Sequence, residues 1–288
     1  MKYHIIANPV AGKNKAMKNL QAVEKVFAQA DVEYEVHLSH AERDATEIAR
    51  RLTSAGERNI IALGGDGTLH EVLNGLHQPE NCNLGLIPSG TGNDFAERLK
   101  LPLDASSAAR VILENEAKPI DYLSVGGVRC MNVAGIGMDV DVLERCKRGK
   151  MKGKLKYLMS LLQSLFAFKG YKVKIECEGA EQERDVLIAA ACNGSQFGGG
   201  IQICPTADVN DGKIDAMIVD CIGGKWKIIK AFIQLLKGKI LEYPAATHFT
   251  CERLRFIPET PCTAQLDGEL YKELDFDVEL KKGLHFYY

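Results

Sequence analysis

Apolar positions along this 288-residue chain change their period about two-fifths of the way in. In the first part, short continuous apolar runs alternate with helical spacing. Residues 3–7, 34–38, 59–63 and 84–87 read as buried strands. After the first run, Leu20, Val23, Val26 and Phe27 fall on one face of a helix reaching about Ala30. A second helix runs through Ala49 and Leu52 with Asp44 as its expected cap, and a third carries Leu69, Val72, Leu73 and Leu76. Helical pattern resumes at 95–99. Four strand–loop–helix units in a row predict a parallel sheet with helices on both faces. After Pro119 the pattern changes. Runs at 120–125 and 128–133 flank Gly126-Gly127, a hairpin signal, and strand-like runs recur at 172–176, 186–191, 214–219, 253–257 and 276–280. This half is expected to be an antiparallel β-sandwich. Two helices interrupt it, one with Leu155, Leu158, Leu162 and Leu165, the other with Trp226, Ile229, Phe232, Leu236 and Ile240.

The loops after three of the first strands, 8–13, 64–68 and 88–94, lie at strand carboxyl ends, where parallel sheets bind ligands. In Gly64-Gly65-Asp66-Gly67-Thr68 a strand stops, glycines bare the backbone and a helix begins. Backbone N–H groups and the helix dipole then favour phosphate. Thr68 is the expected cap, with Glu71 at capping-box spacing. Asp66 would repel phosphate by itself, so it implies a metal ion or a proton to be moved. The alternative is a tight turn with an incidental carboxylate. In Pro88-Ser89-Gly90-Thr91-Gly92-Asn93-Asp94, Asp94 and Glu97 again have capping-box spacing, and Lys13 and Lys15 put positive charge in the first loop.

Composition narrows the partners. The chain is 46% hydrophobic and 26% charged, an ordinary globular balance, with length for one large or two medium domains. A net charge of −2 gives no support to nucleic-acid binding. Nine cysteines without a C-x-x-C fit reduced, mostly buried thiols in a cytoplasm. Met1-Lys2 leads directly into a strand with no signal-peptide pattern, and the nearly apolar stretch 157–168 is too short for a bilayer. Charge is uneven. Segments 145–175 and 221–241 hold ten and five Lys/Arg, fifteen of the chain's 36, and none of its 38 acidic residues. The two apolar, lysine-bearing helices lie in these segments. They can pack on the sheet, meet anionic lipid, or do both with different faces.

The Gly64 to Thr68 turn, together with the loop from Pro88 through Phe95-Ala96, resembles the catalytic domain of diacylglycerol kinases. The whole chain resembles the soluble bacterial YegS-like lipid kinases of the NAD kinase/diacylglycerol kinase superfamily, to which sphingosine and ceramide kinases are related. Asn8-Pro9, Asn210-Asp211-Gly212 and Gln265-Leu266-Asp267-Gly268-Glu269 extend the resemblance in order and spacing, and no Walker A pattern occurs.

The resemblance implies a Rossmann-like, NAD-kinase-like α/β domain over 1–120 that binds ATP, with about 281–288 returning to it. It implies a β-sandwich lipid domain over 121–280 and a site in the cleft between them. Nucleotide contacts would fall on Asn8, Pro9, Gly12, Lys13, Gly64, Gly65, Asp66, Gly67, Thr68, Ser89, Gly90, Thr91 and Asn93, and on Ser39, where the family usually has Thr. A structural Mg²⁺ site would match Asp211 with the carbonyls of Asp208 and Lys213, Asp215 standing behind; composition alone explains 210–212 as a β-turn. Asp66 and Asp94 would hold the ion at the phosphates. Glu269 is the implied base with Asp267 beside it on an extended strand, and Asp66 is the rival base. The implied reaction moves the γ-phosphate of ATP to a lipid hydroxyl, diacylglycerol giving phosphatidic acid. The alternatives are a soluble-substrate kinase of the NAD kinase type and a silent nucleotide-binding regulator. The expected setting is cytoplasmic, peripheral to the inner face of the membrane through 145–175 and 221–241, with no nucleic-acid partner and a homodimer left open.

Overall fold

Strand β1 (Lys2–Ala7) lies one place in from the edge of the first unit's sheet. It pairs in parallel with β2 (Glu33–Leu38) on one side and β3 (Asn59–Gly64) on the other; β4 (Asn83–Pro88) follows β3, also in parallel. The computed structural model describes residues 1–138, 140, 141, 144, 170–221 and 223–288. These form two compact units, Met1–Tyr122 with Lys281–Tyr288, and Leu123–Leu280. The returning C-terminal residues join the first sheet beside β4, with His285 opposite Asn83 and Phe286 opposite Leu84. Tyr287 fixes this return by donating its hydroxyl to Asn59 Oδ1 at 3.0 Å.

Helices cover both faces, which is why these strands are apolar throughout. On one face Ile5, Ala7, Leu63 and Ile87 pack with Leu20, Val23 and Phe27 of α1 (Ala11–Gln29) and with Ala109 and Ile112 of α5 (Ala105–Glu114). On the other lie α2 (Asp44–Ser54) and α3 (Asp66–Gly75), burying Ile48, Leu52, Leu69 and Leu73. A short α4 (Asp94–Arg98) precedes α5. The apolar pattern does not reveal α5, because small alanines supply three of its four buried residues; Asp104 caps it, accepting from Ser107 N at 2.9 Å.

In the second unit β5 (Ala117–Val125, begun in the first) turns back through Gly126 and Gly127, both at positive φ, into β6 (Val128–Cys130). Then follow β7 (Val133–Gly137), β8 (Tyr171–Cys177), β9 (Ala180–Cys192) and the short pair β10 (Gln196–Phe197) and β11 (Ile201–Gln202). Strands β12 (Ile214–Asp220), β13 (Ala246–Cys251), β14 (Arg253–Pro258), β15 (Thr263–Leu266), β16 (Glu269–Lys272) and β17 (Phe276–Tyr287) complete it. Every pairing within this unit is antiparallel. Alternate residues of β9 feed two cores. Ala189 and Ala191 face Phe256 and Phe276, while Ile188 and Ala190 face Phe232 and Leu235 of α6 (Lys225–Leu236).

Four local expectations are corrected. Helix α3 starts at Asp66 with Gly65 as N-cap, so Thr68 is inside the helix and makes no cap. Asp94 likewise opens α4 after Asn93, and neither capping box forms. Asp44 accepts from His40 N at 2.8 Å and closes the preceding loop instead of capping α2, whose N-cap is Arg43. The packed face of α6 is Ile228, Ala231, Phe232 and Leu235; Trp226, Ile233 and Leu236 are exposed, and Ile240 lies beyond the helix in a 3₁₀ turn. The expected helix with Leu155, Leu158, Leu162 and Leu165, and most of the basic segment 145–175, lie outside the described residues. No described helix is long and apolar enough to cross a membrane.

Candidate phosphate, metal and base sites

Four strand ends of the first unit converge, and backbone hydrogen bonds lock them. Asn8 N donates to Leu63 O at 3.0 Å, Ser39 N to Ala7 O at 2.9 Å, and Ser89 N to Gly64 O at 2.7 Å. Asn19 of α1 donates to the Ser89 hydroxyl at 2.8 Å. The glycines let these loops touch. A Cβ on Gly90 would stand 2.5 Å from Gly65 Cα, and one on Gly65 would stand 2.9 Å from Gly90 Cα. Gly12, at φ +58°, presses against the Ser89 carbonyl, and Thr68 fills the place where Gly64 would carry a side chain. The helix starting at Ala11 therefore begins inside the expected 8–13 loop, with Gly12 and Lys13 both at positive φ.

Asp66 sits at the first position of α3, where the dipole favours a carboxylate and the leading amides have no intrahelical acceptor. Its Oδ1 also accepts from Phe95 N at 3.2 Å, tying the start of α4 to that of α3. Asn93, at φ +57°, folds its amide back onto Gly90, accepting from Gly90 N at 2.8 Å and donating to Gly90 O at 3.2 Å. Thus Asn8, Gly12, Ser39, Gly64, Gly65, Asp66, Ser89, Gly90 and Asn93 form one connected cluster. Asp94 is buried beside it, while Lys13 and Thr91 are exposed. Bare backbone, a helix N-terminus and an adjacent carboxylate fit a nucleotide phosphate with a divalent ion.

In the second unit Asp267 and Gly268, at φ +51° and +87°, are the two-residue turn between β15 and β16, with Leu266 opposite Glu269. The expected extended strand, with Asp267 and Glu269 on a shared face, is corrected: Asp-Gly is a favoured pair for a turn with both φ values positive. The Asp267 carboxylate accepts from Met131 N at 2.9 Å, Asn132 N at 2.8 Å and Cys130 Sγ at 3.1 Å. Burial and this neighbouring carboxylate push the Cys130 thiol well above its ordinary pKa. Sequence reading missed the 130–132 segment and its support. The Asn132 carbonyl accepts from Asn193 N at 2.8 Å and Gly194 N at 2.9 Å, and Asn193 Nδ2 donates to Met131 O at 2.8 Å. Buried Asn or Gln carries no periodic signal that would announce such a network.

The expected metal loop is a pair of side-chain-closed turns. Asp208 Oδ1 accepts from Asn210 N at 3.1 Å and Asp211 Oδ1 from Lys213 N at 3.0 Å, with Gly212 at φ +73°. Asp215 is buried on β12 and pairs with His248 Nε2 at 2.6 Å. A carboxylate in such a turn keeps further lone pairs for a cation, so Asp211 with neighbouring carbonyls fits a hard divalent ion.

An α/β unit with glycine loops at its strand ends, followed by a β-sandwich-like unit, is the architecture of the lipid kinases. Residues 2–125 match the family described as the diacylglycerol kinase catalytic domain, and residues 132–283 match the YegS C-terminal NAD kinase beta sandwich-like domain. A diacylglycerol kinase of Bacillus subtilis (strain 168) is 31% identical over 271 residues, covering 92% of this chain and 88% of that protein. A Xanthomonas campestris pv. campestris (strain 8004) protein named "Probable lipid kinase YegS-like" is 31% identical over 283 residues, covering 93% and 90%. A crystal structure of a diacylglycerol kinase from Bacillus anthracis str. Sterne superposes with a TM-score of 0.78 at 25% identity, covering 100% of this chain and 96% of that one. The chain belongs to the diacylglycerol kinase and YegS-like lipid kinase family.

Proposed function

We propose that this chain is an ATP- and Mg²⁺-dependent kinase that phosphorylates the hydroxyl of diacylglycerol, giving phosphatidic acid. The observation that carries the reading is the backbone contact of Gly65 with Gly90 beside Asp66 at the start of α3. Amides of the Gly64 to Thr68 turn and the 89–91 loop hold the phosphates, with Asn8, Pro9, Gly12 and Ser39 lining the nucleotide and Lys13 adding positive charge. Asp66 and Asp94 hold the ion that neutralises phosphate charge; Asp211, with the Asp208 and Lys213 carbonyls, holds a structural one. The lipid hydroxyl oxygen bonds to the γ-phosphorus as the bond to the ADP oxygen breaks. Glu269 takes the hydroxyl proton. Asp267 sets the position of Glu269 by pinning the hairpin turn to residues 130–132.

Helix α6 supports contact with an anionic membrane surface. Its packed face leaves Trp226 (83% exposed), Ile233 and Leu236 outside, with Lys227, Lys230 and Lys237 on the same helix and the turn after it. Interfacial Trp and lysines near anionic headgroups suit that role. Labelled ATP with a total lipid extract, and separately with diacylglycerol micelles or NAD, tests the reaction. Labelled phosphatidic acid is expected; label on NAD alone, or on nothing despite ATP binding, overturns the reading.

A further inference from the structure

On the α2 side of the first sheet, β1 and β2 gather two imidazoles and a carboxylate that the phosphate cluster does not use. His4 stands opposite Glu35 in the parallel register, and His37, two residues on, lies on the same face of β2. His4 Nδ1 is 3.2 Å from His37 Nε2, with the rings stacked at 24°. Glu35 oxygens lie 3.9 Å from His4 Nδ1 and 3.8 Å from His37 Nε2. A tetrahedral ion with bonds of about 2.0–2.1 Å sets its ligand atoms about 3.3 Å apart. The imidazole separation is near that value, and the longer two involve Glu35, a half-exposed side chain that Lys2 holds outward and that must move inward by about half an ångström.

Behind the cluster, His4 Nε2 faces Glu57 Oε2 at 3.0 Å, although His4 itself is only 1% exposed. A carboxylate behind an imidazole is the usual outer support of a metal-ligating histidine. Brought into line with Nε2, which makes no hydrogen bond in this structure, it would keep the proton there and leave the Nδ1 lone pair for the ion. Without an ion the two facing nitrogens must share a proton. Lys2 pairs with Glu35 at 2.9 Å, but a carboxylate can accept an ammonium and a metal on separate lone pairs.

We propose that His4 Nδ1, His37 Nε2 and the Glu35 carboxylate bind a Zn²⁺-class transition-metal cation, with solvent in the fourth position. The ion replaces the proton shared by the two imidazoles and braces edge strand β2 against β1. The probe is Zn²⁺ itself, titrated into the chelator-stripped full chain against a chromophoric chelator. One tight equivalent is expected, together with a rise in Tm. Because buried His4 is needed for packing, the more accessible positions carry the test. His37→Gln and Glu35→Gln should abolish the tight equivalent while leaving the metal-free Tm near wild type, and Glu57→Gln should weaken it about ten- to a hundredfold. The Co²⁺-loaded chain should show visible ligand-field bands without a thiolate charge-transfer band, which separates this site from the nine cysteines. No tight equivalent, unchanged affinity in His37→Gln or Glu57→Gln, or a thiolate band would overturn the proposal.

Discussion

Gly90→Ala adds one methyl group at the contact between the two glycine loops. Its Cβ would stand 2.5 Å from Gly65 Cα and 2.8 Å from Asn93 Oδ1. Carbon atoms in contact prefer about 3.5–4.0 Å, so the loops must part by roughly 1 Å or more. Neither obstacle is a flexible side-chain end, since Asn93 is held by two hydrogen bonds to Gly90 itself. Overpacking of this kind costs about 1–3 kcal/mol of stability. A 1 Å shift of positioning groups costs on the order of a hundredfold in rate, about 2.7 kcal/mol in the barrier. The reverse substitution, Gly65→Ala, meets Gly90 Cα at 2.9 Å and should do less harm. The two changes act at one contact, so the double variant should fall short of the sum of the singles. Nucleotide affinity by calorimetry, kinase turnover and Tm are the measurements. Wild-type ATP affinity and turnover in a folded Gly90→Ala protein would refute the claim that these loops form the phosphate site.

Asp66→Asn keeps an oxygen for Phe95 N but loses the charge; turnover should drop about a hundredfold or more with the Tm nearly kept. Glu269→Gln should abolish transfer to lipid while ATP·Mg²⁺ still binds; if most of the rate persists, Asp66 is the better base. Asp267→Ala orphans the Met131 and Asn132 amides and should cost about 2–4 kcal/mol in urea unfolding, where a loss below 0.5 kcal/mol would contradict the anchoring role. Trp226→Ala with Ile233→Ser should reduce binding to vesicles containing anionic phosphatidylglycerol without changing ATP affinity; unchanged vesicle binding removes α6 from the membrane contact.

Much of the fold is legible in the sequence because the apolar runs have a single use. Strands at 3–7, 59–63 and 84–87 are buried on both faces, and only a parallel sheet under two helix layers hides them so completely. Cap positions are less legible. Thr68 and Asp94 have the right chemistry one to three residues inside helices whose true caps are Gly65 and Asn93, because tertiary contacts between loops decided where each helix began. For α6 the lysines and apolar residues fit two overlapping stripes, and only the core of the second unit selects the one with Ala231 and Leu235. The glycine loops stand out in the sequence as a candidate phosphate cradle, but their mutual contact does not. Nothing in local spacing says that Gly65 needs to be small because Gly90 lies against it. The paired histidines are invisible for the same reason: His4 and His37 meet through register, not through any motif.

The turn at Asp267-Gly268 changes how the pair of late carboxylates should be understood. On an extended strand the two would share a face and act on each other's charge. In a two-residue turn they belong to different jobs. Asp267 spends its oxygens on Met131 N, Asn132 N and the Cys130 thiol, so its carboxylate is already occupied as an acceptor. Asp267 N in turn donates to Val133 O at 3.1 Å, and Gly268 N donates to Gln265 Oε1 at 3.0 Å. The turn is therefore fastened at five points to residues 130–133 and to its own strand. Glu269 is the first residue after that fastening, on the short strand β16, opposite Leu266 across the hairpin. A carboxylate placed at the exit of a rigid turn can be held within hydrogen-bonding reach of a hydroxyl without being buried, as a general base requires. On the proposed function, the Asp-Gly-Glu sequence reads as anchor, bend and base in order.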